Sequence, residues 1–142
     1  MLISEEMRHL RDQRERIVRE HMESENVHEF DRTMATFSHP RYELIATGHV
    51  HDGDAEVAEY FRSSRASFPD QRNEMIAMHH ADDAVITEFW LLGTHLGQLG
   101  PLEPTGREFR CRMTAFFVFD GKDLVCERVY FDSATILRQL TS

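Results

Sequence analysis

The sequence predicts an α+β fold in which helices come first and a curved antiparallel sheet follows. Apolar residues recur at helical spacing up to about residue 70, and afterwards apolar residues alternate with polar ones in runs rich in Thr, Val and Phe. Asp120-Gly121 adds a tight-turn signal between two strand-like runs. Helices and strands that occupy separate parts of a chain favour α+β over a parallel α/β sheet. The length fits a single domain, residues 1–142.

Two helices are predicted in the first third of the chain. Ser4 is a suitable N-cap for the first, which we expect to extend to about Glu23. Ser24 is suited to cap the second, because an apolar stripe at helical spacing follows it. The members of that stripe are Val27, Phe30, Met34 and Phe37. His39-Pro40 ends this helix, since the residue before a proline avoids the helical region.

A third helix and the strands complete the predicted fold. Asp54 is suited to cap a helix that ends before Pro69. Strands are expected at Tyr42–Ala46, His49–His51, Arg72–His80, Ala84–Thr94, Phe109–Phe119 and Leu124–Phe131, and a short helix at Ser133–Leu140. A curved sheet wrapped by three N-terminal helices forms a cone-shaped half-barrel. Its open end stays unfilled, and ligands commonly bind in such hollows.

Composition excludes several classes of function. Sixteen basic and 25 acidic residues give a net charge of −9, which repels phosphate backbones and argues against nucleic-acid partners. No apolar run is long enough to span a membrane, and the charged N-terminal segment differs from a signal peptide. The two cysteines, Cys111 and Cys126, lie in strand-like runs and indicate buried thiols in a reducing compartment. Cytoplasm is therefore the expected location.

The best candidate for chemistry is the end of the last strand, in the segment ERVYFDSATILRQL. Alternation along a strand places Arg128, Tyr130 and Asp132 on one face. Asp132 is suited to remove a proton next to a carbonyl group, while Tyr130 or Arg128 stabilises the oxyanion that develops. The alternative is that Asp132 caps the helix that starts at Ser133, because Asp is a favoured N-cap residue.

The register of the Asp120-Gly121 hairpin decides which residues accompany Asp132. A three-residue loop, in which 118 opposes 122, puts the even positions of both strands on one face. Those even positions include Arg112, Thr114 and Phe116. A two-residue loop brings Met113 and Ala115 there instead. We favour the first register because it collects the polar residues on one face, where Arg112 keeps Asp132 ionised.

The nine histidines form no clear metal motif. His49 and His51 share a face at i, i+2 spacing, whereas the adjacent His79 and His80 point to opposite faces of a strand. The sequence contains no HExxH motif and no Cys-His cluster. We therefore expect neither a metal nor a cofactor.

Phe89 and Trp90 are neighbours in a predicted strand, so one faces the helices and the other faces outward. An outward aromatic side chain on an open sheet indicates a dimer interface, and we expect a homodimer. Phe89 and Tyr60 are expected to shape the pocket.

Several segments together resemble one known family. They are GTHLGQL (Gly93–Leu99), PLEPTGREF (Pro101–Phe109), the FDGK turn, ERVYFDSATILRQL and SFPDQR (Ser67–Arg72). In these segments the chain is similar to the SnoaL-like polyketide cyclases, which belong to the nuclear transport factor two superfamily with ketosteroid isomerases and limonene epoxide hydrolases. The resemblance runs from about residue 25 to the C-terminus.

The resemblance implies a curved sheet wrapped by three helices, a deep pocket at its open end and frequent homodimers. It also implies that an aspartate at the end of the last strand, here Asp132, is the acid-base of an aldol ring closure without a cofactor. His95 matches the histidine of the family's GTH motif and joins the candidates for ligand binding. Many relatives carry Trp where this chain has Arg128, and a basic residue there favours an anionic or carbonyl-rich ligand.

Three functions are compatible with the sequence. The first is a cofactor-free cyclase or isomerase that acts on a small, mostly apolar carbonyl compound, with Asp132 as the base. The second is a non-catalytic ligand-binding or dimerisation module, in which the pocket is almost entirely apolar and Asp132 caps the last helix. The third is epoxide hydrolysis, which in relatives needs two acids and an arginine around a water, with Asp132, Arg112 and Glu88 as candidates.

Overall fold

The computed structural model describes residues 3–142. Its helices and strands follow the order α1 (Glu5–Asn26), α2 (Phe30–Ala35), β1 (Arg41–Leu44), β2 (His49–Asp52), α3 (Asp54–Ser67), β3 (Arg72–His80), β4 (Ala84–Thr94), β5 (Glu108–Asp120), β6 (Asp123–Tyr130) and α4 (Ser133–Thr141). The predicted α+β class and the half-barrel are confirmed: three helices precede the long strands, which form a curved sheet that does not close.

The first helix is longer than predicted and includes Ser24. Ser4 caps it as expected, by accepting a hydrogen bond from the amide of Met7 at 3.1 Å. Ser24 does not cap a second helix, because its hydroxyl donates to the carbonyl of His21 at 2.8 Å, within the turn before it. The second helix consequently begins only at Phe30 and spans six residues.

Six strands form one sheet in the order β2-β1-β6-β5-β4-β3. Neighbouring strands are antiparallel except β1 and β6, which pair in parallel between residues 42–44 and 127–129. The prediction of a purely antiparallel sheet is wrong at this pair. The physical reason is that β1 and β6 belong to separate units, the β1–β2 hairpin and the β3–β6 meander. The two units pair through these two strands, which run in the same direction.

The β5–β6 hairpin keeps even positions on one face, but it does so through a bulge. Asp120 pairs with Asp123 around a two-residue turn, so the predicted three-residue loop is wrong. The register then shifts by one between Val118 and Phe119, and Val118 pairs with Cys126. Beyond this bulge even residues oppose even residues, which is the face arrangement that the sequence favoured.

The odd-numbered side chains of β5 face the helices and form the centre of the core. They are Phe109, Cys111, Met113, Ala115, Phe117 and Phe119, all buried. Val18 on α1 and Phe61 on α3 pack against them as members of the same cluster. Burying this apolar surface is the main stabilising contribution to the fold. The even-numbered side chains of β5 point away from the helices.

Cys111 and Cys126 are both free and buried, as predicted. Burial and the neighbouring carboxylate of Glu43 raise the pKa of the Cys126 thiol to about 12, so it remains protonated. Among residues 3–142, no helix combines the length and the apolar character needed to cross a membrane.

Candidate functional site

An apolar cavity of about 450 Å³, here called the chamber, opens between the sheet, α3 and α4. Most of its wall is apolar: Leu44, Phe68, Leu91, Leu99, Phe109, Met113, Val129, Phe131, Ile136 and Leu137. A volume of this size and character is typical of small-molecule pockets. The open end of the half-barrel therefore carries the hollow that the sequence predicted.

A smaller inner cavity of about 50 Å³ adjoins the chamber and is lined mostly by polar residues. Five residues border both spaces: Tyr60, Gln71, Leu91, Met113 and Val129. Glu25, Tyr42, Arg65 and Glu127 line only the inner cavity. A ligand whose body fills the chamber would therefore present one end to a group of ionisable side chains.

Those ionisable side chains form a polar cluster, defined as His21, Glu25, Tyr42, Arg65 and Glu127. Nε2 of His21 lies 2.7 Å from Oε1 of Glu127 and 3.3 Å from Oε1 of Glu25. The hydroxyl of Tyr42 lies 2.9 Å from the same Nε2. Arg65 approaches the other oxygen of Glu25 at 3.7 Å. With His21 protonated, two cations face two carboxylates, so the cluster is close to neutral.

The orientation of His21 is fixed by Thr36. The hydroxyl of Thr36 donates to the carbonyl of Thr33 at 2.6 Å, so its oxygen is an acceptor toward Nδ1 of His21 at 2.8 Å. Nδ1 must therefore carry a hydrogen. Nε2 is left as the nitrogen that gains or loses a proton, and it faces Glu127 and Glu25.

Burial and charge move the pKa values of the cluster in different directions. Burial lowers the pKa of His21, but the Glu25 and Glu127 carboxylates outweigh it and raise that pKa to about 9. Burial also opposes ionisation of Glu25, yet His21 and Arg65 hold its pKa below the ordinary value. Burial and the charge of Glu25 raise the pKa of Glu127. Two carboxylates with opposed shifts are typical of acid-base sites.

Glu127 has a carboxylate oxygen that lacks a well-aligned donor. Although Oε1 lies 2.7 Å from His21 Nε2, no donor within residues 3–142 meets it at hydrogen-bonding geometry. The residue is only 5% exposed. Such a carboxylate is poorly solvated, and this makes it a stronger proton acceptor than a surface acid.

Tyr60 places a phenol at the boundary of the two cavities. Its ring stacks on His51 with 4.7 Å between centroids and lies 5.1 Å from the ring of Tyr42. Burial raises the pKa of Tyr60 above its ordinary value despite the opposing charge of Arg65. The phenol therefore stays protonated and is suited to donate a hydrogen bond to an oxygen of a ligand.

Nε2 of His21 and one oxygen each from Glu25 and Glu127 lie within 4.8 Å of one another, a spacing that suits a divalent cation. Within residues 3–142 this is the one group of three such ligands, and His49 and His51 are not part of it. A cation there would have to displace the proton of His21 and add charge beside Arg65. The residues fit a shared proton better than a metal ion.

The sequence-predicted base, Asp132, lies outside both cavities. Its carboxylate accepts from the amide of Ala134 at 3.1 Å and from the hydroxyl of Thr135 at 2.7 Å, so it caps α4. These donors hold the pKa of Asp132 below its ordinary value, and the side chain is 65% exposed. This geometry contradicts the assignment of Asp132 as the base, because its carboxylate is an exposed helix cap and Asp132 is not among the residues that line the chamber.

The residues predicted to accompany Asp132 do share a face, but it is the outer face of the sheet, turned away from the helices. This outer face carries Glu88, Trp90, Arg110, Arg112, Thr114, Phe116, Arg128 and Tyr130. Arg112 pairs with Glu88 at 2.9 Å, and Arg128 pairs with Glu43 at 3.0 Å. The predicted pocket roles of these residues are wrong, because the core takes the odd positions. Arg128 consequently gives no basic character to the pocket.

Of the remaining candidates, Phe89 lines the inner cavity and Tyr60 lines both spaces. His95 is fully buried beneath the loop that follows β4. Its Nδ1 accepts a hydrogen bond from the amide of Thr105 at 3.1 Å, which ties the two ends of that loop together. His95 therefore has a structural place in the fold and is not among the residues that line the chamber.

The sequence interpretation missed His21, Glu25 and Glu127. One signal was available, since Glu127 shares the face of Val125 and Val129 and is an acid among apolar residues. His21 and Glu25 are spaced i, i+4 on α1, which places them on one face of the helix. Only the tertiary fold brings that face against β6.

Comparison with known proteins places the chain among proteins of this architecture. The family model described as SnoaL-like polyketide cyclase matches residues 13–140, a range that contains the whole polar cluster and chamber. No curated protein matches the chain at a significant level.

Three solved structures illustrate the likeness. A proposed polyketide cyclase from Xanthomonas campestris superposes with a TM-score of 0.81 at 18% identity, over 93% of this chain and 99% of that one. IdmH, a proposed polyketide cyclase from Streptomyces antibioticus, gives 0.78 at 21% identity, over 92% and 99%. AclR, a proposed hydroxylase from Streptomyces galilaeus, gives 0.76 at 17% identity, over 91% and 85%. At these identities the likeness shows the fold alone.

Proposed function

The chain belongs to the SnoaL-like polyketide cyclase family, and we propose that it is a cofactor-free enzyme of the cyclase or isomerase type for a small, mostly apolar carbonyl compound. One observation carries this proposal. Glu127 is a buried carboxylate with a raised pKa, and it lines the inner cavity that adjoins the mostly apolar chamber. A base of this kind is matched to removing a weakly acidic C–H proton near neutral pH.

The proposed first step is proton transfer from carbon to Glu127. The apolar body of the substrate lies in the chamber and its carbonyl oxygen points to the boundary with the inner cavity. Glu127 takes a proton from the carbon next to the carbonyl, and the C–H electron pair moves to give an enolate. The phenol of Tyr60 donates a hydrogen bond to the enolate oxygen and so lowers the energy of the charged intermediate.

The enolate can react in either of two ways in the second step. In an isomerase, Glu127 returns its proton to a different carbon of the same conjugated system. In a cyclase, the enolate carbon attacks a second carbonyl of the same molecule, a C–C bond forms, and Glu127 gives its proton to the new alkoxide. Both sequences restore the Glu127 carboxylate, and neither consumes a co-reactant.

The other members of the polar cluster keep Glu127 ready for this exchange. Protonated His21 places its Nε2 2.7 Å from the Glu127 carboxylate and offsets its charge. Glu25 stays ionised beside Arg65 and His21, so it holds the imidazolium in place without titrating near neutral pH.

The test is catalysed hydrogen–deuterium exchange at the acidic carbon of a bicyclic ketone probe, 1-tetralone, followed by NMR in deuterated water. Glu127→Gln is nearly isosteric and should lower the exchange rate by at least ~10² while the fold is kept. Asp132→Asn is the matched control, because asparagine also caps helices, and it should leave the rate unchanged. Exchange that survives Glu127→Gln, or that is lost in Asp132→Asn, contradicts the proposal.

A second candidate function is epoxide hydrolysis, in which a water opens the ring. Two carboxylates with opposed pKa shifts and an arginine favour it: Glu127, Glu25 and Arg65. These residues replace the set predicted from sequence, since Arg112 and Glu88 lie on the outer face. The inner cavity, at about 50 Å³, also has room for a water beside both acids.

Oxygen labelling separates the two candidate functions. An epoxide probe such as styrene oxide in ¹⁸O water would yield labelled diol at a rate above background if the second function holds. Glu25→Gln and Glu127→Gln should then each abolish the catalysed rate, because one acid activates the water and the other protonates the epoxide. Catalysed ketone exchange without diol formation leaves only the cyclase or isomerase.

The non-catalytic module and the dimer depend on different parts of the molecule. A receptor predicts an apolar pocket and a capping Asp132. The cap is present, but the polar cluster favours catalysis over ligand storage.

For assembly we propose a homodimer through the outer face, where Trp90 and Tyr130 lie among arginines and acidic residues.

A further inference from the structure

Gln71 is a buried polar residue whose main chain is fully held. It lies in the turn between α3 and β3 and is 8% exposed. Its amide donates to the carbonyl of Phe68 at 3.1 Å, and its carbonyl accepts from Nε2 of His28 at 2.9 Å. The preceding Asp70 accepts from the amide and hydroxyl of Thr94 at 2.6 and 2.7 Å. The turn that presents the Gln71 side chain is therefore rigid.

The side-chain amide of Gln71, by contrast, forms no hydrogen bond within residues 3–142 and borders both the chamber and the inner cavity. An amide that no protein group pairs with and that borders a cavity is available to a water or ligand that enters the cavity. Gln71 and Tyr60 are the polar residues of the five that border both cavities. A ligand group at the boundary between the two cavities therefore contacts both side chains.

The charge at this boundary restricts what Gln71 can bind. Glu25 and Glu127 line the adjoining inner cavity, and their charges are balanced by Arg65 and protonated His21. The boundary therefore has no net charge that would attract an ion of either sign. The remaining kind of partner is an uncharged oxygen group. The Gln71 amide can bind either a hydroxyl or a carbonyl, because it contains both a donor and an acceptor.

From this geometry we infer that Gln71 binds a second oxygen function of the ligand, a hydroxyl or carbonyl group distinct from the carbonyl that Tyr60 meets. The ligand class is then an apolar compound with two separated neutral oxygen groups, and a monofunctional ketone is a poor ligand. The inference rests on the proposed function only in its statement of which of the two oxygen groups belongs to the reacting carbonyl. The hydrogen bond of Gln71 itself requires no chemistry.

The experiment compares the binding of 1-tetralone with that of 3-hydroxy-1-tetralone and 4-hydroxy-1-tetralone by titration calorimetry. At least one hydroxylated probe should bind wild-type protein about tenfold more tightly than 1-tetralone, since a hydrogen bond to a buried partner is worth about that factor. In Gln71→Leu, which keeps the side-chain size, this ratio should fall to near one. Gln13→Leu, the same change on α1 away from the chamber, should preserve the ratio.

A second measurement guards against indirect effects. The side-chain ¹⁵NH₂ resonances of Gln71 should shift on addition of the preferred hydroxylated probe and shift less with 1-tetralone. Absence of binding by all probes, equal affinity for them in wild-type protein, or a preference that survives Gln71→Leu overturns the inference. Glu127→Gln should retain the preference. Wild-type protein that shows the preference but catalyses no ketone exchange therefore counts against the proposed function and leaves the role of Gln71 standing.

Discussion

His21 holds a proton between two buried carboxylates, and this links stability to pH on the alkaline side. Its pKa is raised to about 9 in the folded protein, against about 6.5 in an unfolded chain. The stabilisation is therefore fully present below pH ~6.5 and is lost as the pH rises through ~9. The expected loss in the free energy of unfolding is about 3 kcal/mol, measurable by urea denaturation across that range. In His21→Gln the slope over the same window should largely vanish, and an unchanged slope would refute the assignment.

Thr36 provides a second test at the scale of one residue. Thr36→Val removes the acceptor for Nδ1–H and leaves a buried donor unpaired, so we expect the free energy of unfolding to fall by about 1–2 kcal/mol. The pKa of His21 should also fall, because the protonated ring loses a hydrogen bond. Thr36→Ser keeps the hydroxyl and is the control. NMR titration of the His21 ring gives its pKa in each variant. Equal pKa values in Thr36→Val and Thr36→Ser would contradict the hydrogen bond from Nδ1–H to the Thr36 hydroxyl.

The polar cluster also shows why the site was harder to predict than the fold. Strand alternation correctly grouped Arg128, Tyr130 and Asp132, but alternation says which residues share a face and not which face meets the helices. Glu127 was visible as an acid among apolar neighbours. Its partners on α1, His21 and Glu25, are about a hundred residues away in the chain, and no local pattern links them to it.

At the scale of elements, the loop after β4 depends on close contact with the end of α3. The amides of Leu96 and Gly97 both donate to the carbonyl of Ser67 at 3.1 Å. A Cβ atom on Gly97 would lie 1.9 Å from the carbonyl oxygen of Ala66, so only glycine fits. The GTHLG segment thus has a packing function, with His95 buried below it.

Gly97→Ala should consequently lower the free energy of unfolding by at least about 2 kcal/mol, because the loop must move off α3. Gly48→Ala is the control: its Cβ would meet no atom within 4 Å, and its φ of 74° costs only about 1–2 kcal/mol. Thermal unfolding of both variants gives the comparison. A Gly97→Ala variant as stable as wild type would show that the loop after β4 does not pack closely against the end of α3.

Elements with strong local signals were predicted well, and those set by tertiary contacts were not. Strands β3 and β4 match their predicted bounds, Arg72–His80 and Ala84–Thr94, since turn residues flank a clear alternation. The parallel pairing of β1 with β6 was missed, because it depends on how two separate meanders meet. The bulge at Val118 was missed as well, although it preserves the favoured face.

At the scale of the whole molecule, the outer face of the sheet carries aromatic and charged side chains that point away from the helices. Trp90 is half-buried beneath Arg110, whose guanidinium lies 3.8 Å from the ring centroid, and Tyr130 is 40% exposed. Six strands at a spacing of about 4.8 Å give a surface roughly 25 Å wide. The nine residues of β3 at ~3.3 Å each give a length of about 30 Å, so the face approaches the ~800 Å² per partner that a stable interface buries. Arginines and acids on the same face allow a two-fold partner to pair opposite charges.

The homodimer predicts a mass twice the 16.6 kDa of one chain in light scattering. Trp90→Glu should convert it to a monomer, because the change replaces the largest apolar side chain of the face with a charged one. Val27→Glu is the control: Val27 is 56% exposed at the end of α1, away from the sheet face, and its variant should stay dimeric. Both variants should keep ketone exchange if each chamber is complete within one chain, since every chamber residue comes from a single copy. A wild-type monomer, or a dimer that persists in Trp90→Glu, would require another explanation for the exposed aromatic face.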